Sequence, residues 1–124
     1  MRNLILRSSL ILSLLLMTSF TVTDSLVGTK KFVGEWEYSV PDAPYQYQTG
    51  TFNFSKIKKK ITGTVAIDGY KMDLENVATK KNNLICNVNI EGETVTFDLT
   101  FDKKSFTGTA SYSQGVLDMT GTKK

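Results

Sequence analysis

The residues able to do chemistry in this chain are few, and their types exclude more than they offer. Histidine is absent and one cysteine, Cys86, is present. General acid-base catalysis near neutral pH and zinc binding therefore lose their commonest side chain. Two carboxylate pairs stand out, Glu35 with Glu37 and Glu91 with Glu93 around Gly92. The first has the spacing of two outward positions on one strand and the second flanks a turn, so both read as solvated acids. With no nucleophile elbow and no metal-spaced cluster beside them, no catalytic residue, metal or cofactor is expected, and the chain is not read as an enzyme. What remains is aromatic: Trp36, Tyr38, Tyr45, Tyr47, Tyr70 and Tyr112. Tyrosine joins a broad apolar face to a polar tip, which suits a partly wet binding mouth. These six residues form the candidate ligand-binding set.

The elements that must position them follow from a two-residue hydrophobic period that begins at Phe32. Gly34, Trp36, Tyr38 and Val40 share one face of a first strand, which Pro41 and Pro44 stop because proline cannot donate to a ladder. Further strands are predicted over residues 49–57, 61–67, 70–79, 84–90, 94–101, 106–112 and 116–122. Asp68-Gly69 is a strong hairpin signal. In the fourth strand Val77 has the opposite parity to Met72 and Leu74, which predicts a bulge near Glu75-Asn76. Cys86 shares the parity of Leu84, Val88 and Ile90 and is expected inside as a small hydrophobe. The expected fold is all-β: an eight-stranded antiparallel up-and-down meander barrel.

An internal repeat supports that reading. At a constant offset of 45, Thr51-Phe52 matches Thr96-Phe97, Lys58-Lys59 matches Lys103-Lys104, Thr62-Gly63-Thr64 matches Thr107-Gly108-Thr109, and Asp73 matches Asp118. Two such units are too few for a solenoid and fit two similar halves of one barrel. Successive turns of a meander alternate between its ends, which sorts the turn residues by end. Lysines 30–31, 58–60, 80–81, 103–104 and 123–124 all fall at one end, and all five tyrosines fall at the other. An eight-stranded barrel is just wide enough to be filled by side chains or to hold one small ligand. Its large apolar inward residues favour a mostly filled core.

Residues 1–23 read as a signal peptide: Arg2 and Arg7 in front, an apolar run from Leu10 to Met17, then the small residues Ser19, Thr21 and Thr23. Residues 24–31 read as a flexible leader and residues 32–124 as the barrel. The chain is thus expected to be exported, to the periplasm, cell surface or extracellular space. Removing Arg2 and Arg7 from the 15 basic residues leaves 13 lysines against 12 acids. A barrel without arginine lacks the planar fork that reads guanine edges, so no nucleic-acid partner is expected.

A Gly-x-Trp at the start of the first meandering strand, here Gly34 and Trp36, resembles that of the calycin superfamily of lipocalin-like barrels. The resemblance implies that Trp36 lies near the closed end under a basic residue from the last strand, Lys123 or Lys124. It also implies that residues 41–48 form a loop lidding the open end. The exported form, the Val40 to Tyr45 loop and the paired Thr-Gly-Thr segments are similar to the small calycin-like secreted proteins of Bacteroidetes. The chain is shorter than typical lipocalins and lacks their C-terminal helix and disulfides. Two functions follow as expectations. One is a binding module whose small apolar or amphipathic ligand enters at the tyrosine end, with Trp36 at the floor. The other is a filled-core interaction or structural protein that contacts a glycan, a membrane surface or another protein through its tyrosine-rich or lysine-rich end.

Overall fold

The structure, a computed structural model, describes residues 28–124; the segment read as a signal peptide lies outside the described residues. A 3-10 turn, Lys30–Phe32, leads into nine strands: β1 (Gly34–Ser39), β2 (Thr49–Ile57), β3 (Lys60–Ile67), β4 (Tyr70–Asp73), β5 (Glu75–Lys80), β6 (Asn83–Ile90), β7 (Glu93–Asp102), β8 (Ser105–Tyr112) and β9 (Gly115–Lys123). They form one antiparallel sheet in the order β4-β3-β2-β1-β9-β8-β7-β6-β5. The result is an up-and-down, nearly closed barrel.

The strand number differs from the eight expected, for a reason visible at Leu74. The stretch read as one strand over 70–79 changes partner there. β4 bonds to β3 with Thr64 opposite Asp73, whereas β5 bonds to β6 with Glu75 opposite Asn87. The Leu74 amide makes the last bond to β3, donating to the Gly63 carbonyl at 2.9 Å. Just beyond it the register slips between Glu75 and Ala78, and Asn76 takes a φ of 53°. The anticipated bulge is thus present, and it turns the chain from one sheet edge to the other. β4 and β5 are the two ends of the strand order, so the barrel closes through the chain itself rather than through an unbroken ladder.

The 45-residue repeat is a repeat of pairing. β2 opposes β3 with Phe52 at Val65 and Phe54 at Gly63; β7 opposes β8 with Phe97 at Ala110 and Leu99 at Gly108. Each pair of positions is displaced by the same 45 residues. The hairpins close on two-residue loops, as the pairs Ile57 with Lys60, Ile67 with Tyr70, Ile90 with Glu93 and Tyr112 with Gly115 show. Asp68-Gly69 and Glu91-Gly92 have positive φ at both residues, the conformation that matches the twist of a tight hairpin.

The core is a column of rings. Phe32, Trp36, Phe52, Phe54 and Phe106 are all essentially inaccessible to solvent. Trp36 meets Phe101 edge-on at 4.8 Å, Phe101 meets Phe32 at 5.0 Å and Phe106 at 5.1 Å, and Phe52 meets Phe97 edge-on at 5.1 Å. Such pairs each add about 0.5–1.5 kcal/mol to the burial of their surface. Cys86 is also buried, opposite Phe97, and burial pushes its thiol up to about 12, so it is an unreactive part of the wall.

Candidate functional site

The lysine end is closed. Phe32 plugs it, its carbonyl accepting the Trp36 indole N–H at 3.0 Å. The Lys31 ammonium donates to the Asn82 side-chain carbonyl at 2.6 Å, and the Asn82 backbone carbonyl accepts the Phe101 amide at 2.8 Å. Gly34 explains the Gly-x-Trp spacing. Its φ of +133° is open to glycine, and a Cβ there would lie 2.8 Å from Lys123 Cε. The Lys123 stem lies over that gap and carries its ammonium 5.7 Å from the Trp36 ring centroid. The adjacent Lys124 ammonium sits 3.9 Å from Glu35 and 4.0 Å from Glu37. That outward carboxylate pair shares one cation of the chain itself at the surface.

At the tyrosine end the column of rings stops short and leaves a cavity of about 280 Å³. This lies just under the ~300–1,000 Å³ usual for small-molecule pockets. Its walls are the upper inward residues Ile67, Ile90, Val95, Ala110 and Leu117, with Tyr38 and Phe97 beneath them. Space exists because the inward side chains shrink. Ala110 stands where its repeat counterpart is Val65, and Phe106, two inward steps deeper on the same strand, fills the barrel.

The loop between β1 and β2 closes over part of the opening. The Val40 amide donates to the Gln48 carbonyl at 2.7 Å, and the Gln48 side-chain amide donates to the carbonyls of Pro41 at 3.3 Å and Ala43 at 3.1 Å. These bonds hold a 3-10 turn, Tyr45–Tyr47, that sets Tyr47 on the cavity and Tyr45 in solvent.

Of the six candidate residues, the structure brings Tyr38, Tyr47 and Tyr112 together around the cavity. Tyr38 is buried, which raises its hydroxyl to about 12 and keeps it protonated. Tyr45 and Tyr70 are 89% and 72% exposed and do not line it. Trp36 is fully buried below it, and the tier that bounds the cavity is Tyr38 with Phe97.

Sequence reasoning treated Glu91 and Glu93 as turn acids, yet both line the cavity. For Glu93 a signal was available. It has the inward parity of Val95, Phe97 and Leu99 and lies opposite inward-facing Ile90. Its Oε1 accepts the Ser113 hydroxyl at 2.6 Å and the Ser113 amide at 2.8 Å. These two bonds, the hydroxyl's first, hold the Glu93 carboxyl below its ordinary range.

A solved structure of a redesigned β-barrel is similar to this chain, at 15% identity and a TM-score of 0.56, covering 78% of this chain and 95% of that one. The likeness shows a β-barrel fold. No family model and no curated protein matches the chain.

Proposed function

We propose that this protein is an exported, calycin-like binding module that holds a small apolar or amphipathic ligand at its tyrosine end. The observation that carries the reading is the cavity of about 280 Å³ between the lidding loop and the Tyr38–Phe97 tier. A barrel selected only for stability would fill that space, because an apolar void forfeits dispersion contacts on every side. Here rings fill the barrel axis at one end, while the other carries aliphatic residues and Ala110 under a hydrogen-bonded loop. The calycin assignment is supported by Lys123 lying over Trp36 beside Gly34, and export by the features of residues 1–23.

A native mass spectrum of the protein isolated from its own host tests the reading. A non-covalent adduct that leaves on activation, with a mass suited to so small a cavity, is the expected result. A spectrum of bare protein alone would overturn it.

Tyr45, Tyr70 and Val116, all strongly exposed, favour a second reading. In it the same end contacts a protein, a glycan or a membrane surface, with the cavity incidental. Changing Tyr45 and Tyr70 to Ser separates the two. Loss of a partner with the adduct retained supports surface recognition, and loss of neither leaves the cavity as the site.

A further inference from the structure

We infer that the ligand's polar group is a cation, an amine or a quaternary ammonium, held at the mouth by the Glu93 carboxylate with Glu91 beside it and an apolar body below. The inference rests on the binding reading above and deepens it. The charged residues lining the cavity are Glu91 and Glu93, and no lysine is among its lining residues. The lysines of the turns crowd the opposite end, so an approaching cation meets an acidic mouth on a barrel whose far end repels it.

Glu93 is also built as a site residue rather than as a loose surface acid. Its inward register aims it along the column of Val95 and Phe97. The two bonds from Ser113 both end on Oε1, which fixes the carboxylate and leaves Oε2 for a ligand. A fixed acceptor loses less side-chain entropy on binding than a free one. Tyr47 and Tyr112 line the same opening, and tyrosine faces attract ammonium groups. An anionic amphiphile such as a carboxylate would bring like charge against Glu93 and find no lysine among the lining residues to offset it.

The test uses three probes of equal chain length: hexyltrimethylammonium, 1-hexanol and hexanoate. Their Kd values are measured by calorimetry at neutral pH on the protein produced in its own host. Hexyltrimethylammonium is expected to bind roughly 3- to 10-fold tighter than hexanoate, the scale of one partly exposed charge pair with a cation–π contact. The ratio should shrink as salt is raised to about 0.5 M, where the Debye length is only a few ångströms. Glu93→Gln keeps the acceptor for Ser113 and removes the charge, and is expected to collapse the ratio.

Hexanol binding with hexanoate equal to or tighter than the cation would overturn the inference and leave the binding module standing. A cation preference that survives both Glu93→Gln and salt would overturn the role given to Glu93. If none of the three probes binds, the binding reading fails and the inference fails with it.

Discussion

The two ends of this barrel are made from the same ladder and do opposite things with it. At the lysine end the inward positions hold Trp36, Phe54, Phe101 and Phe106, and Phe32 adds a plug from outside the sheet. At the tyrosine end the inward positions hold Val40, Ile67, Val95, Ala110 and Leu117. The repeated register of β2–β3 and β7–β8 relates two sides of the barrel, and each pair runs through both ends. Side-chain volume, the Phe32 plug and the β1–β2 loop together set the closed end apart from the open one. Charge follows the same division: Lys123 caps Trp36 at the closed end, and Glu93 stands at the open one.

The comparison predicts that the closed end carries the stability. Trp36→Ala removes a fully buried ring, its hydrogen bond to Phe32 and the platform under Lys123. The expected loss is about 3–5 kcal/mol in denaturant unfolding, a large share of the roughly 5–15 kcal/mol typical of a domain. A loss below about 1 kcal/mol would mean that the ring column is not the keystone. Gly34→Ala attacks the same end by strain, forcing a Cβ onto Lys123 at a φ of +133°. About 1–3 kcal/mol is expected, together with a change in Trp36 fluorescence as the lysine is displaced.

Ala110→Leu tests the open end. The added methyls project into the cavity, so stability should change by less than about 1.5 kcal/mol while hexanol affinity falls at least roughly ten-fold. Unchanged affinity would place binding elsewhere on the surface. The contrast with Trp36→Ala is the sharpest form of the comparison: one end tolerates volume changes and loses ligand, the other loses the fold.

Much of this division was legible before any coordinates. Parity placed Trp36, Leu84, Cys86 and Val88 inside, turn alternation sorted lysines from tyrosines, and the parity conflict at Val77 announced the bulge. The ninth strand was hidden because partner choice is not a local property. Nothing in residues 70–80 records that β4 bonds to β3 and β5 to β6. The tyrosines were assigned to the correct end, where Tyr38, Tyr47 and Tyr112 line the cavity, but pattern did not set Tyr45 and Tyr70 apart from them. Tyr70 has inward register opposite Ile67, yet as the first residue after a tight turn it stands at the rim and swings into solvent. Tyr45 and Tyr47 differ only by their places in a 3-10 turn. Trp36 was taken for the floor because pattern gives the face a residue occupies, while depth depends on which neighbours fill the tier above, here Tyr38 and Phe97.

The smallest expected effect concerns how Glu93 keeps its charge. Its carboxyl is depressed by the Ser113 hydroxyl first and the Ser113 amide second. A depressed folded-state pKa contributes stability that is present above the unfolded value, about 4.3 for glutamate, and is lost as pH falls through the folded value. Ser113→Ala removes the hydroxyl and keeps the amide, so the Glu93 titration followed by carboxyl NMR should move upward only part of the way to the ordinary value. The acid-side loss of hexyltrimethylammonium binding should move upward with it, because a protonated carboxyl has no charge to offer an ammonium. A titration that moves without the binding would separate Glu93 from the ligand, leaving its bond to Ser113 a brace between β7 and the β8–β9 turn. If both move together, the same serine that braces the turn also sets the pH range over which the mouth stays negative.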